Sequence, residues 1–169
     1  NILNKDVKSK NKIENLTYIF DSKFPKIKGD SVIQIGTVIK KFGTNDIKRI
    51  IFTLGGCSSL PGITVVPCKS VRDIVEGWVN MMKQEKIQIL TGYNIFGFDY
   101  KFLYDNCDEL NCKYLLNELS VLSDGSDVEL TEKELFSAAL GHNFLYYFEI
   151  PGLITLDLLK VIQKDHNLS

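Results

Sequence analysis

Apolar and polar positions first alternate at Val32-Ile33-Gln34-Ile35-Gly36-Thr37-Val38-Ile39, a β-branched run that predicts a strand. A second run, Arg49-Ile50-Ile51-Phe52-Thr53-Leu54, follows a turn at Gly43-Thr44-Asn45-Asp46, so the pair predicts a hairpin. Gly55-Gly56 stops the second strand, Pro61-Gly62 marks another turn, and Ile63-Thr64-Val65-Val66 predicts a third strand. The period then changes. Val71, Ile74, Val75, Trp78, Val79 and Met82 fall at helical spacing behind Ser70 and Asp73, which together have the form of a capping box. This stripe reads as core, with the helix ending near Lys86.

Ile87-Gln88-Ile89-Leu90-Thr91 is a short apolar strand of the kind buried on both faces of a sheet. Beyond it, Phe102, Leu103, Cys107 and Leu110 resume helical spacing, which places Asp99 at a strand-to-helix junction. Pro151-Gly152 predicts a turn, after which Leu156, Leu158, Leu159, Val161 and Ile162 form an apolar strand-to-helix passage with Asp157 near the helix start. A helix and a further strand after hairpin strands predict an α/β fold, a mixed sheet with helices packed on it.

Residues 1–30 break this regularity. They hold seven lysines against four acids with weak periodicity, and read as a lysine-rich connection or insert ahead of a domain at 31–169. Residues 121–135 carry Asp124, Asp127, Glu129, Glu132 and Glu134 around Gly125. Such a cluster invites a metal-site reading, but without ordered spacing a solvated loop or exposed hairpin is the simpler account.

At 169 residues and 44% hydrophobic content the chain is long enough for one sizeable core. A net charge of −1 excludes the global basic field of a dedicated duplex-DNA binder, so any nucleic-acid contact must be local. Cys57, Cys68, Cys107 and Cys112 form no CxxC pair and read as reduced structural thiols of an intracellular protein. No apolar run approaches the roughly 20 residues that span a bilayer, and the start lacks a secretory h-region. No membrane association is expected, and the sequons at Asn15 and Asn167 then carry little meaning. The first residue is Asn1, and Ser169 directly follows a helical-looking segment, so the chain reads as a piece cut at both ends.

The chemistry concentrates at Thr91-Gly92-Tyr93-Asn94-Ile95-Phe96-Gly97-Phe98-Asp99. A carboxylate just outside a strand end stands where open sheets place their ligands, and carboxylate oxygen suits a hard divalent cation. Two such ions roughly 3.5–4 Å apart can drive phosphodiester hydrolysis, although one carboxylate cannot hold both. The competing account makes Asp99 a helix N-cap. Asn94 either serves a binding pocket or satisfies backbone groups in the turn. Aromatics beside an acidic site can stack on unpaired bases, at about 1–3 kcal/mol per base, or pack in the core, which is the better account of Phe96.

Taken in order, Phe24-Pro25, Asp30 to Gly36, Phe52-Thr53-Leu54-Gly55-Gly56-Cys57, Thr91 to Asp99, and Pro151-Gly152 with Asp157 to Ser169 resemble the 3′ to 5′ exonuclease domain of family B DNA polymerases. With Ser137 to Asn143, the wording is most similar to polymerases of large DNA viruses and the delta-type replicative enzyme. The resemblance implies a ribonuclease-H-like fold in which Asp99 is a catalytic metal ligand and Asn94 and Phe98 bind DNA, shaping the pocket for the 3′ terminal nucleotide. It also implies two Mg2+ ions and a single-stranded 3′ end or primer-template as DNA partner. Deoxynucleoside triphosphates, a sliding clamp or accessory subunits would belong to the intact polymerase, in the host nucleus or a cytoplasmic viral replication site.

Two parts of the family pattern are missing. No apolar strand ending Asp-x-Glu precedes Phe24; Tyr18-Ile19-Phe20-Asp21-Ser22-Lys23 comes nearest but has Lys23 where glutamate is required. No Tyr-x-x-x-Asp motif follows, and Leu153 stands where many relatives carry arginine. The domain is therefore expected to lack its first strand and to be inactive alone, with an unpaired sheet edge. A catalytically inactive scaffold or DNA-holding domain of the same fold is the alternative.

Overall fold

The computed structural model describes residue 18 and residues 29–122, 127–137 and 141–166. The chain divides into two units, Asn1–Asp30 and Ser31–Ser169. Almost all of the lysine-rich segment, the Asp124-Gly125 centre of the acidic stretch and the last three residues lie outside the described residues.

In the second unit the predicted hairpin forms from β1 (Gln34–Lys40) and β2 (Ile47–Leu54), antiparallel with Gln34 opposite Thr53 and Lys40 opposite Ile47. The third strand, β3 (Thr64–Cys68), lies parallel to β2. Helix α1 (Val71–Gln84) begins where the local signals place it: Ser70 Oγ accepts from the Asp73 N–H at 3.2 Å, and Asp73 Oδ2 accepts from the Ser70 N–H at 3.0 Å. Its predicted stripe is buried from Ile74 to Met82, Ile74 and Val75 fully, with Val71 half-buried at the start. Trp78 Nε1 donates to Thr37 Oγ1 at 3.2 Å, seating the helix on β1. Gly77 explains how close it sits on β2, since a Cβ there would come 2.8 Å from the Phe52 ring.

Strand β4 (Ile89–Gly92) pairs in parallel with β7 (Ile154–Asp157), Gly92 opposite Asp157. The expectation that this strand is buried on both faces does not hold. Ile89 is 53% exposed, because among the described residues β4 has β7 as its one partner. Helix α2 (Asp99–Glu109) and the short α3 (Tyr114–Asn117) follow, and α4 (Leu158–His166) continues from β7. The acidic stretch resolves into a hairpin, β5 (Glu129–Ser137) against β6 (Gly141–Glu149). Strand β6 went unread in the sequence, although Phe144-Leu145-Tyr146-Tyr147-Phe148 is a run suited to a half-buried strand.

The fold is thus mixed α/β, but its described strands form three sheets instead of one: β1-β2-β3, β4-β7 and β5-β6. Among the described residues β1 and β4 each have one edge without a partner strand, and a cavity of about 1290 Å³ lies between those edges, lined among others by Ile35, Thr37, Leu90 and Thr91. The core continues across the helices, where Cys107 and Cys112 are fully buried and Phe148 of β6 stacks on Tyr100 at 4.6 Å. All four cysteines are free thiols. No helix among the described residues is long and apolar enough to cross a membrane.

Candidate active site

Parallel pairing of β4 with β7 brings two strand ends together, the first followed by a short loop and a helix, the second directly by a helix. Gly92 ends one strand, and the loop 93–98 leads to Asp99 at the first turn of α2. Asp157 ends the other. The carboxyl ends of parallel strands are where an open sheet presents its ligand-binding groups.

Asp99 is exposed, and it is not the cap of its helix. The capping position belongs to Phe98, whose side chain makes no cap hydrogen bond, so the N-cap reading of Asp99 fails. Partial burial raises the Asp99 carboxyl above the usual carboxylate range; its own backbone N–H opposes the shift and the charge of Asp157 adds to it. A negative charge held under those conditions is one that a cation would stabilise. Phe98 is 56% exposed and stacks on Phe102 with centroids 5.2 Å apart, presenting a ring beside the carboxylate. Phe96 goes inward as expected, packing 5.8 Å from both Tyr100 and Tyr147.

Asn94 is half-buried and adopts φ 60°, a left-handed conformation that asparagine tolerates better than most residues. Its carbonyl accepts from the N–H groups of Gly97 and Phe98 at 3.0 and 3.2 Å, and its side-chain amide lies over Gly97, where a Cβ would collide with it. The turn at 94–98 therefore closes on the backbone carbonyl of Asn94. Tyr100, beside Asp99, is buried with a hydroxyl that has no hydrogen-bond partner among the described residues. Burial, and then the charges of Asp157 and Asp99, push that phenol well above its ordinary range.

The residue that sequence reasoning passed over is Asp157. It is 2% exposed, and its carboxylate takes three backbone N–H groups: Asn94 at 2.8 Å and Leu159 at 2.9 Å on Oδ1, and Phe96 at 3.0 Å on Oδ2. The Leu159 bond caps α4, whereas the other two reach across to the loop before Asp99. The signal was there, since Ile-Thr-Leu-Asp before a helical run repeats the strand-end carboxylate pattern of Asp99. What the sequence lacked was the pairing that sets Asp157 opposite Gly92. Among the described residues no three His, Cys, Asp or Glu side chains converge as a metal site.

The family model described as "DNA polymerase family B, exonuclease domain" matches residues 13–169. A DNA polymerase of Pyramimonas orientalis virus is 36% identical over 157 residues, covering 92% of this chain and 13% of that protein. A DNA polymerase of Paramecium bursaria Chlorella virus NY2A is 28% identical over 163 residues, 90% of this chain and 18% of the relative. The DNA polymerase delta catalytic subunit of Dictyostelium discoideum is 32% identical over 148 residues, 86% and 13% respectively. The chain spans less than a fifth of the length of these relatives.

Proposed function

Because this chain belongs to the exonuclease domain of DNA polymerase family B, we propose that it is the editing part of a replicative DNA-directed DNA polymerase, removing mispaired 3′ nucleotides. The observation that carries this reading is the placement of Asp99: an exposed carboxylate, raised in proton affinity, in the first turn of the helix reached by the loop that leaves β4 where it pairs in parallel with β7, with the exposed Phe98 next to it in sequence.

The donor chemistry fits one ligand of a hard divalent cation, magnesium by class, and Asp99 is the residue that would hold it. Two bound Mg2+ ions would supply an activated water and neutralise the leaving oxygen. The chain's own residues position the substrate. Phe98 offers its face to the terminal base of a frayed single-stranded 3′ end, and Asn94 shapes the pocket floor through the turn it closes. Holding two ions takes further carboxylates besides Asp99, and among the described residues no such cluster stands around it. The cavity between the free edges of β1 and β4 supports the same view. A strand lying there would join β1-β2-β3 to β4-β7 in one mixed, ribonuclease-H-like sheet, and its end would lie near Asp99, which lines the cavity. Magnesium dependence, deoxynucleoside triphosphates, a sliding clamp or accessory subunits, and an intracellular site of replication belong to the same proposal for the whole polymerase.

The test is Asp99→Ala in the intact polymerase, assayed with Mg2+ on a mispaired 3′ end. Exonuclease activity should fall on the order of 10³-fold while polymerisation persists, as expected when a ligand worth several kcal/mol of charge stabilisation is removed. Undiminished editing would sink the assignment and leave a scaffold or DNA-holding role.

A further inference from the structure

The loop that carries Asn94, Phe98 and Asp99 is held by a carboxylate from another strand. Two of its amides, Asn94 and Phe96, converge on Asp157, in a small nest of the kind that binds anions. Nothing else in the loop satisfies those amides. From the other side the Tyr146 N–H of β6 donates to the Phe96 carbonyl at 2.7 Å. The Phe96 peptide is therefore gripped at both its N–H and its C=O, and its ring is wedged between Tyr100 and Tyr147. The chain needs such a grip because local signals do not shape the segment: Asn94 is left-handed, and Phe98 starts α2 without a side-chain cap.

Helix capping alone does not account for Asp157. Capping α4 uses one bond, to Leu159, and an exposed aspartate would do it equally well. The two remaining bonds and the near-complete burial serve the Asp99 loop. With its oxygens engaged by three backbone donors and almost no access to solvent, Asp157 is poorly placed to be a ligand itself.

We infer that Asp157 is a positioning residue of the exonuclease centre, fixing the backbone of residues 94–98 so that the Asp99 carboxylate and the Phe98 ring are presented together. This rests on the reading of Asp99 as a metal ligand. Groups that orient a ligand from behind are worth about 10- to 100-fold in metal affinity or activity when removed.

The experiment uses the intact polymerase with Asp157→Asn, which keeps the shape but replaces one acceptor by a donor, and Asp99→Asn as its companion. Amide exchange of residues 93–98 is followed without metal, exonuclease rate is followed against Mg2+ concentration, and polymerisation reports the integrity of the rest. For Asp157→Asn, faster exchange at 93–98 with α1 unaltered is expected, together with a half-saturating Mg2+ concentration raised about 10- to 100-fold. Excess metal should restore most of the rate. Unchanged exchange, or an unchanged Mg2+ requirement with only the maximal rate or the folded fraction reduced, overturns the proposal. Asp99→Asn should leave exchange at 93–98 slow while abolishing editing. Retained editing in that variant would defeat the functional assignment itself, an outcome separate from the fate of Asp157.

Discussion

Helix α1 and the Asp99 junction are built on opposite plans. In α1 the local signals agree at both ends and along its face, Gly77 apart: a reciprocal capping box at Ser70 and Asp73, an apolar stripe at helical spacing, and Lys83 in the last turn where it complements the helix dipole. At the junction the local rules are broken in succession. Asn94 is left-handed, Phe98 occupies a capping position it cannot serve, and Asp99 is held at a raised proton affinity. A protein departs from local consistency where function requires a geometry that local preference does not supply, and stabilises it from elsewhere. Here the support comes from β7 and β6.

The comparison predicts that damage to α1 is read in stability and damage to the junction in chemistry. The largest stability effect should come from Ile74→Ala, which opens a void at a fully buried site and should cost about 2–5 kcal/mol in denaturant unfolding. Losing Ser70 should cost less: Ser70→Ala removes one half of the capping box and should lower stability by about 1 kcal/mol.

At the junction, Asn94→Gly keeps the left-handed conformation and should leave the melting temperature nearly unchanged. Asn94→Ala should lower stability by about 1 kcal/mol, because alanine pays for positive φ. Equal effects from the two substitutions would mean that the Asn94 side chain, and not its backbone, sets the loop.

The smallest effect should have the opposite sign. The Asp99 carboxyl holds its proton more tightly folded than unfolded, so its ionisation costs stability as pH rises through the ordinary carboxylate range towards its raised value. Asp99→Asn should therefore raise the melting temperature slightly at neutral pH in chelator, with the gain vanishing below about pH 3.9. A gain that persists in acid would locate the effect in packing instead of charge.

The same contrast explains what could be read in advance. The hairpin of β1 and β2, the stripe of α1 and the junction at Asp99 each follow from residues close in sequence, and the ordered words of the exonuclease domain were legible because they lie along the chain. Strand β6 was missed because its aromatic run lacks alternation, and it is held by pairing with β5 and by the seating of Phe148 on Tyr100. The exposure of β4 was missed because an apolar run reports what a strand can be buried against and not whether both its edges are covered.

By itself, then, the sequence determined the elements, the α/β class and the identity of Asp99 as the carboxylate to watch, since capping, periodicity and turn chemistry act over a few residues. The tertiary structure decided that Asp99 is no cap, that the described strands lie in three sheets with a cavity between β1 and β4, and that Asp157 grips the loop. Those outcomes depend on bonds between residues more than sixty positions apart, as in the contacts of Asp157 with Asn94 and Phe96, and no local pattern encodes which strand end will stand opposite which.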